Sequence, residues 1–131
     1  MGEVVLDASA ALALLFDEPG ADMVQEALGG GAIMSSVNVA EVVGKIAERD
    51  RLGGPKTLRA IEDLGVAIVP FDSNQALIAG VLRWLTKEKG LSLGDRACLA
   101  LGKVRNAPVL TADAIWKEIE EAVRLQVVLI R

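Results

Sequence analysis

Histidine and tyrosine are absent from the 131-residue chain, cysteine occurs once, and aromatic residues make up only 3% of it. A Ser-His-Asp triad, a Cys-His dyad and a His-ligated zinc site are thereby excluded for the isolated chain. Cys98 alone closes no intramolecular disulfide, and the N-terminal region lacks the basic stretch, apolar core and cleavage site of an export signal. A cytoplasmic location is expected. Apolar runs long enough to span a membrane (~18 residues) are also missing, because Asp17, Glu18 and Pro19 interrupt the longest N-terminal one. Positive charge is scarce too: 14 Lys plus Arg stand against 18 Asp plus Glu, a net charge of −4. Adhesion to nucleic acid through a broadly basic surface is disfavoured. Clustered carboxylates, however, hold divalent cations that bridge to phosphate, so the positions of the acids decide the matter.

Short β-rich runs alternate with helical stretches, the pattern of a parallel sheet covered by helices on both faces. Strands are expected at Glu3–Leu6, Ala32–Ser35, Val66–Pro70, Pro108–Leu110 and Gln126–Ile130. Helices are expected over Ser9–Phe16, Ala21–Leu28 and Ser36–Arg51, the last stopped by Gly53-Gly54, with Pro55 in the first turn of the next, which runs through Leu64. Asp72-Ser73 signals the N-cap of a helix to Lys89, Ser92 opens one through Lys103, and Ala112–Arg124 forms the last. No repeat or linker divides the chain, so residues 1–131 are read as one domain, a three-layer α/β/α fold with a central parallel sheet of about five strands. Cys98, Trp84 and Trp116 are read as packing residues. In such sheets the carboxyl ends of all strands face one side, and ligands bind there.

Four acids fall near that edge. Asp7 ends the first strand; taken alone it is a helix cap or Asx-turn. Glu41 lies in the second turn of the helix after the second strand and points away from the stripe of Val39, Val42, Val43 and Ile46. Its bland role is a surface pair with Lys45, four residues on. Asp95, three residues after Ser92, suits a capping box, yet its helix is apolar nearly all round and offers only Arg96 as an obvious partner. Asp113 follows the fourth strand, where it or Thr111 could cap the last helix. Together the four would repel one another in one cleft unless cations were present. Their ligands are all hard oxygens, which select Mg²⁺ or Mn²⁺ over zinc. Lys45, Arg49, Arg51, Lys56 and Arg59 form a basic stretch that is either a solvated face or a guide for phosphate backbone.

Four segments then acquire a common meaning: Val5-Leu6-Asp7-Ala8-Ser9-Ala10, Ser35-Ser36-Val37-Asn38-Val39-Ala40-Glu41-Val42, Leu91-Ser92-Leu93-Gly94-Asp95-Arg96-Ala97-Cys98-Leu99-Ala100 and Leu110-Thr111-Ala112-Asp113. In order and placement they resemble PIN-domain nucleases, and more narrowly the VapC-type toxins of toxin–antitoxin pairs. The resemblance implies that Asp7, Glu41, Asp95 and Asp113 form an acidic Mg²⁺ or Mn²⁺ site supported by Ser9 and Thr111. It also implies hydrolysis of RNA, a homodimer, and a cognate protein antitoxin that fills the cleft. Family members often carry Arg after the last acid and a small residue before Trp, whereas Ala114 and Ile115 precede Trp116 here. Independently, a mean hydropathy of +0.40 in so short a chain points to oligomerisation. A receiver-type or phosphoryl-transfer domain is the rival reading, opposed by the single Asp ending the first strand and the lack of Lys in Gln126–Ile130. A non-catalytic binding module whose acids are all caps is a third.

Overall fold

The computed structural model describes residues 2–131. Five short strands, β1 (Val4–Leu6), β2 (Ala32–Ser35), β3 (Val66–Val69), β4 (Val109–Thr111) and β5 (Val127–Leu129), pair in parallel in the order β3-β2-β1-β4-β5. The expected parallel sheet of about five strands is therefore present. All strands but β2 (Ala-Ile-Met-Ser) are rich in β-branched residues, and β1, β2 and β4 are buried throughout, as strands covered on both faces require.

The period-two alternation of strand side chains divides the core in two. Val4, Leu6, Ala32, Met34 and Val66 face one layer, built from α1 (Ala8–Phe16), α2 (Ala21–Ala27), α3 (Ser36–Ala47) and α4 (Gly53–Asp63). Val5, Ile33, Val109 and Val127 face the other, built from α5 (Ser73–Leu85), α6 (Leu93–Arg105) and α7 (Trp116–Val123). Burying each of these aliphatic side chains contributes roughly 1.5–3 kcal/mol before conformational entropy is counted. Glycine has a specific task at the turn into α2. Gly20 has φ +98°, and a Cβ there would stand 2.6 Å from the Ile130 carbonyl oxygen.

Several boundaries differ from expectation for local reasons. α3 closes at Ala47 rather than Arg51, and Gly53-Gly54 does not stop it but forms the first turn of α4. The Asp50 side chain accepts from the Leu52 N–H (3.1 Å) and its carbonyl from the Gly53 N–H (2.9 Å), and a Cβ at Gly53 would sit 3.0 Å from Ile46. The helix from Ser73 closes at Leu85, where the Thr86 hydroxyl turns back to donate to the Leu82 carbonyl (2.8 Å), and a short 3₁₀ turn carries Lys87–Lys89. The last helix starts at Trp116 rather than Ala112, because Asp113 accepts from the Ile115 N–H (3.0 Å) and bends the chain first. Trp116 and Cys98 are fully buried, but Trp84 is 73% exposed on α5. The expected packing of Trp84 on a helix face is not found: the ring is largely exposed, with the Lys87 ammonium 4.8 Å from its centroid. Among the described residues, no helix is long and apolar enough to cross a membrane.

Candidate active site

The sheet order places β2, β1 and β4 side by side, and the segments leaving their carboxyl ends meet above the sheet. Asp7 lies at the centre, only 6% exposed. It is the N-cap of α1: its Oδ1 accepts from the Ala10 N–H (2.8 Å) and from the Ser9 hydroxyl (2.6 Å). Its Oδ2 accepts from the Thr111 hydroxyl (2.6 Å) at the end of β4. Ser9 and Thr111 are fixed in turn, accepting from the Ala112 N–H (2.9 Å) and the Asp113 N–H (3.1 Å). Both expected supporting residues therefore bind Asp7 and pin the β4 exit to it. Burial pushes the Asp7 carboxyl above its ordinary value, partly countered by these hydroxyls and the Ala10 amide, and the charge of Asp95 pushes it further up.

Asp95 stands in the first turn of α6, half-buried, in a complete capping box. The Asp95 N–H donates to the Ser92 hydroxyl (3.1 Å), and the Ser92 N–H donates to Asp95 Oδ2 (3.0 Å). Arg96 gives it no counter-charge; the guanidinium turns to the Ala79 carbonyl (2.9 Å) on α5. Glu41 likewise forms no ion pair with Lys45. It accepts instead from Asn38 (2.7 Å), one turn earlier on α3, and its carboxylate lies against Gly94. Asp113 sits exposed at the outer edge with one oxygen committed to the Ile115 N–H.

An open cleft of about 350 Å³ brings all four acids together, with the cations Lys45 and Arg131 at its wall. Among the described residues none of the four acids is ion-paired; Arg131 is held by the Pro19 carbonyl (2.7 Å) and lies 3.9 Å from Glu18. Burial, and then the charges of Asp7, Asp95 and Glu41, push the Cys98 thiol well above its ordinary value, which makes it an inert apolar filler beneath the acids. No group of three carboxylates among the described residues is gathered tightly enough to form a closed ligand set. The acids stand apart around the cleft, as like charges favour. The donor set still fits a hard divalent cation. It is all oxygen, its carboxylates are unpaired, and a cation would favour the ionised form of Asp7 that burial opposes.

Two residues of the site carried no role in the sequence reading. Asn38 is 1% exposed and spans Glu41 and the Gly94 carbonyl (2.9 Å); its spacing of three from Glu41 on one helix was the available signal. Gly94 is adjacent to Asp95 but meets Glu41 only through the packing of α3 on α6, which no local pattern reveals.

The PIN domain family model matches residues 4–122. A VapC ribonuclease from Mycobacterium bovis is 30% identical over 115 residues, covering 82% of this chain and 88% of its own length. Ribonuclease VapC42 of Mycobacterium tuberculosis matches to the same extent. Among solved structures, VapBC2 from Rickettsia felis bound to a promoter DNA fragment shares the fold with TM-score 0.76 at 16% identity, over 97% of this chain and 98% of that one. VapBC-1 from nontypeable Haemophilus influenzae does so with TM-score 0.70 at 23% identity, over 98% of each chain. The family match, running through all four acidic segments, and the fold agree: the chain belongs to the PIN domain family.

Proposed function

We propose that the protein is a metal-dependent endoribonuclease that hydrolyses RNA phosphodiester bonds, the toxin of a toxin–antitoxin pair acting in the cytoplasm. The observation that carries this reading is the convergence of Asp7, Glu41, Asp95 and Asp113, none ion-paired, on one open cleft in a PIN domain. A divalent cation held there, Mg²⁺ or Mn²⁺, would supply positive charge against the negative charge that develops on the phosphate and would acidify water at neutral pH. Asp7 and Asp95 are the first candidates for direct ligands; Glu41 and Asp113 would hold a second cation or orient the attacking water. Ser9 and Thr111 hold the Asp7 carboxylate in one orientation. Lys45, free of Glu41, is available to a phosphate next to the scissile one. The receiver-type alternative gains nothing, since β5 carries no Lys beside the cleft.

Two surfaces support the partners proposed. A groove of about 480 Å³, lined by Leu12, Phe16 and Ile46, shares Leu12, Glu18 and Lys45 with the acid cleft, so an antitoxin segment seated in it would also cover the acids. On α5, Leu77, Val81, Trp84 and Leu85 are exposed along one face, which suits a homodimer contact. Incubating the purified protein with defined RNAs under Mg²⁺, Mn²⁺ or EDTA, beside Asp7→Asn, tests the reading. Cleavage that survives EDTA, or survives in Asp7→Asn, overturns it.

A further inference from the structure

We infer that Asn38 is a positioning residue: with Gly94 it fixes the Glu41 carboxylate against the first turn of α6 and so sets where Glu41 and Asp95 stand relative to each other. The inference rests on the metal-dependent nuclease reading and names a residue that the four acids do not include. The Asn38 side chain bridges two elements 56 residues apart in the chain. Its amide nitrogen donates one hydrogen to Glu41 Oε1 (2.7 Å) and the other to the Gly94 carbonyl (2.9 Å). Both partners only accept, so the orientation of the amide is decided by chemistry. Gly94 makes room for this contact, because a Cβ there would stand 2.5 Å from the Glu41 carboxyl carbon and from both its oxygens and would displace the carboxylate. Asp95 is the next residue, within the same capping turn. Asn38 therefore ties the carboxylate of one helix to the backbone that carries the carboxylate of another.

The arrangement is also costly in a way that packing alone does not explain. Asn38 is 1% exposed, and its Oδ1 is buried with no hydrogen-bond partner. An apolar residue of similar volume would leave no such orphaned acceptor. What such a residue could not supply is the pair of donors. Residues that orient ligands in this manner typically change metal affinity or activity about 10–100-fold when removed.

The test uses Asn38→Leu, which keeps the volume and removes both donors, and Asn38→Ala as a second variant should leucine misfold. Calorimetric titration with Mn²⁺ is expected to show affinity reduced about tenfold, and kcat for RNA is expected to fall about tenfold or more with KM within about twofold. In the metal-free wild-type protein, both Asn38 side-chain amide protons should exchange slowly with solvent by NMR. Glu41→Ala should release one and leave the other bound to Gly94. Rapid exchange of both protons in the wild type, or variants that keep Mn²⁺ affinity and kcat within about twofold of it, would overturn the inference. A wild-type protein that binds Mn²⁺ through Asn38-dependent geometry yet cleaves no RNA would sink the nuclease reading and leave this one standing.

Discussion

The Thr111 hydroxyl donates to Asp7 Oδ2 at 2.6 Å, although the two residues lie 104 positions apart. That bond joins the exits of two adjacent strands and holds the most buried acid of the cleft. Thr111→Val preserves shape while removing it, and also strips the Asp113 N–H of its acceptor. A hydrogen bond to a charged group contributes roughly 1.5–3 kcal/mol, so urea denaturation at pH 7 should show a loss of about 2 kcal/mol. Thr111→Ser should recover most of it together with the RNA cleavage lost in the valine variant.

Asp7 imposes a pH dependence whose sign is fixed. Its carboxyl is raised above its ordinary 3.8 in the fold, chiefly by burial, so the native state holds the proton more tightly than the unfolded chain. The stability this contributes is fully present below the ordinary value and is lost as pH rises through the raised one. Metal-free Asp7→Asn should therefore melt a few degrees above the wild type at pH 7 and lose that advantage at acid pH, while RNA cleavage falls to background. Differential scanning calorimetry across pH checks the first outcome. A wild type that melts higher than the variant at pH 7 contradicts it.

Divalent cations should reverse that penalty. At a hundred times its dissociation constant, a ligand specific for the folded state adds about 2.7 kcal/mol. For a domain of this size Mn²⁺ should raise Tm by roughly 10 °C, and EDTA should return it. Asp7→Asn and Asp95→Asn should respond weakly, and an equal response in either removes that residue from the ligand set.

Gly20 and Gly65 separate two costs of adding a methyl group. Both have positive φ, +98° and +84°, but only at Gly20 would the new Cβ meet protein, 2.6 Å from the Ile130 carbonyl oxygen. Gly65→Ala should cost about 1–2 kcal/mol for the left-handed backbone alone. Gly20→Ala should cost about 3 kcal/mol or more, since the clash adds to that strain. Equal losses in thermal unfolding would show that the turn yields.

Trp84→Glu tests the face of α5. The ring is 73% exposed, so the substitution should leave Tm of the isolated protomer nearly unchanged. Sedimentation should show the wild type as a dimer and the variant as a monomer. A monomeric wild type at high concentration eliminates the homodimer.

The sequence was most informative where a single local cause decides the outcome. β-branched runs marked every strand but β2, and Asp7, Asp72 and Ser92 announced caps that the structure contains. Asp7 and Asp95 were legible for the same reason, each lying at an element boundary. Spacing alone makes Glu41 a surface pair with Lys45, and only the family resemblance raises it; it bonds instead to Asn38, three residues earlier on the same helix, and lies against a glycine of another helix that no local pattern reveals. Trp84 misled for the opposite reason, since aromatic character predicts burial only where a neighbour exists to bury it.

The strand order also imposes a schedule on synthesis. β1 precedes the other four strands in sequence but lies between β2 and β4, and although Ala10 and Ser9 bind Asp7 Oδ1 locally, Oδ2 gains its donor only when Thr111 arrives. A nascent chain that has passed Asp95 already carries three of the acids, yet the strand that closes the cleft and the hydroxyl that orients its central carboxylate are still to come. Long-range pairing of this kind is completed late. The cleft is therefore closed only once β4 has been made, and a chain cut short before β4 lacks Thr111 and Asp113 and with them part of the site.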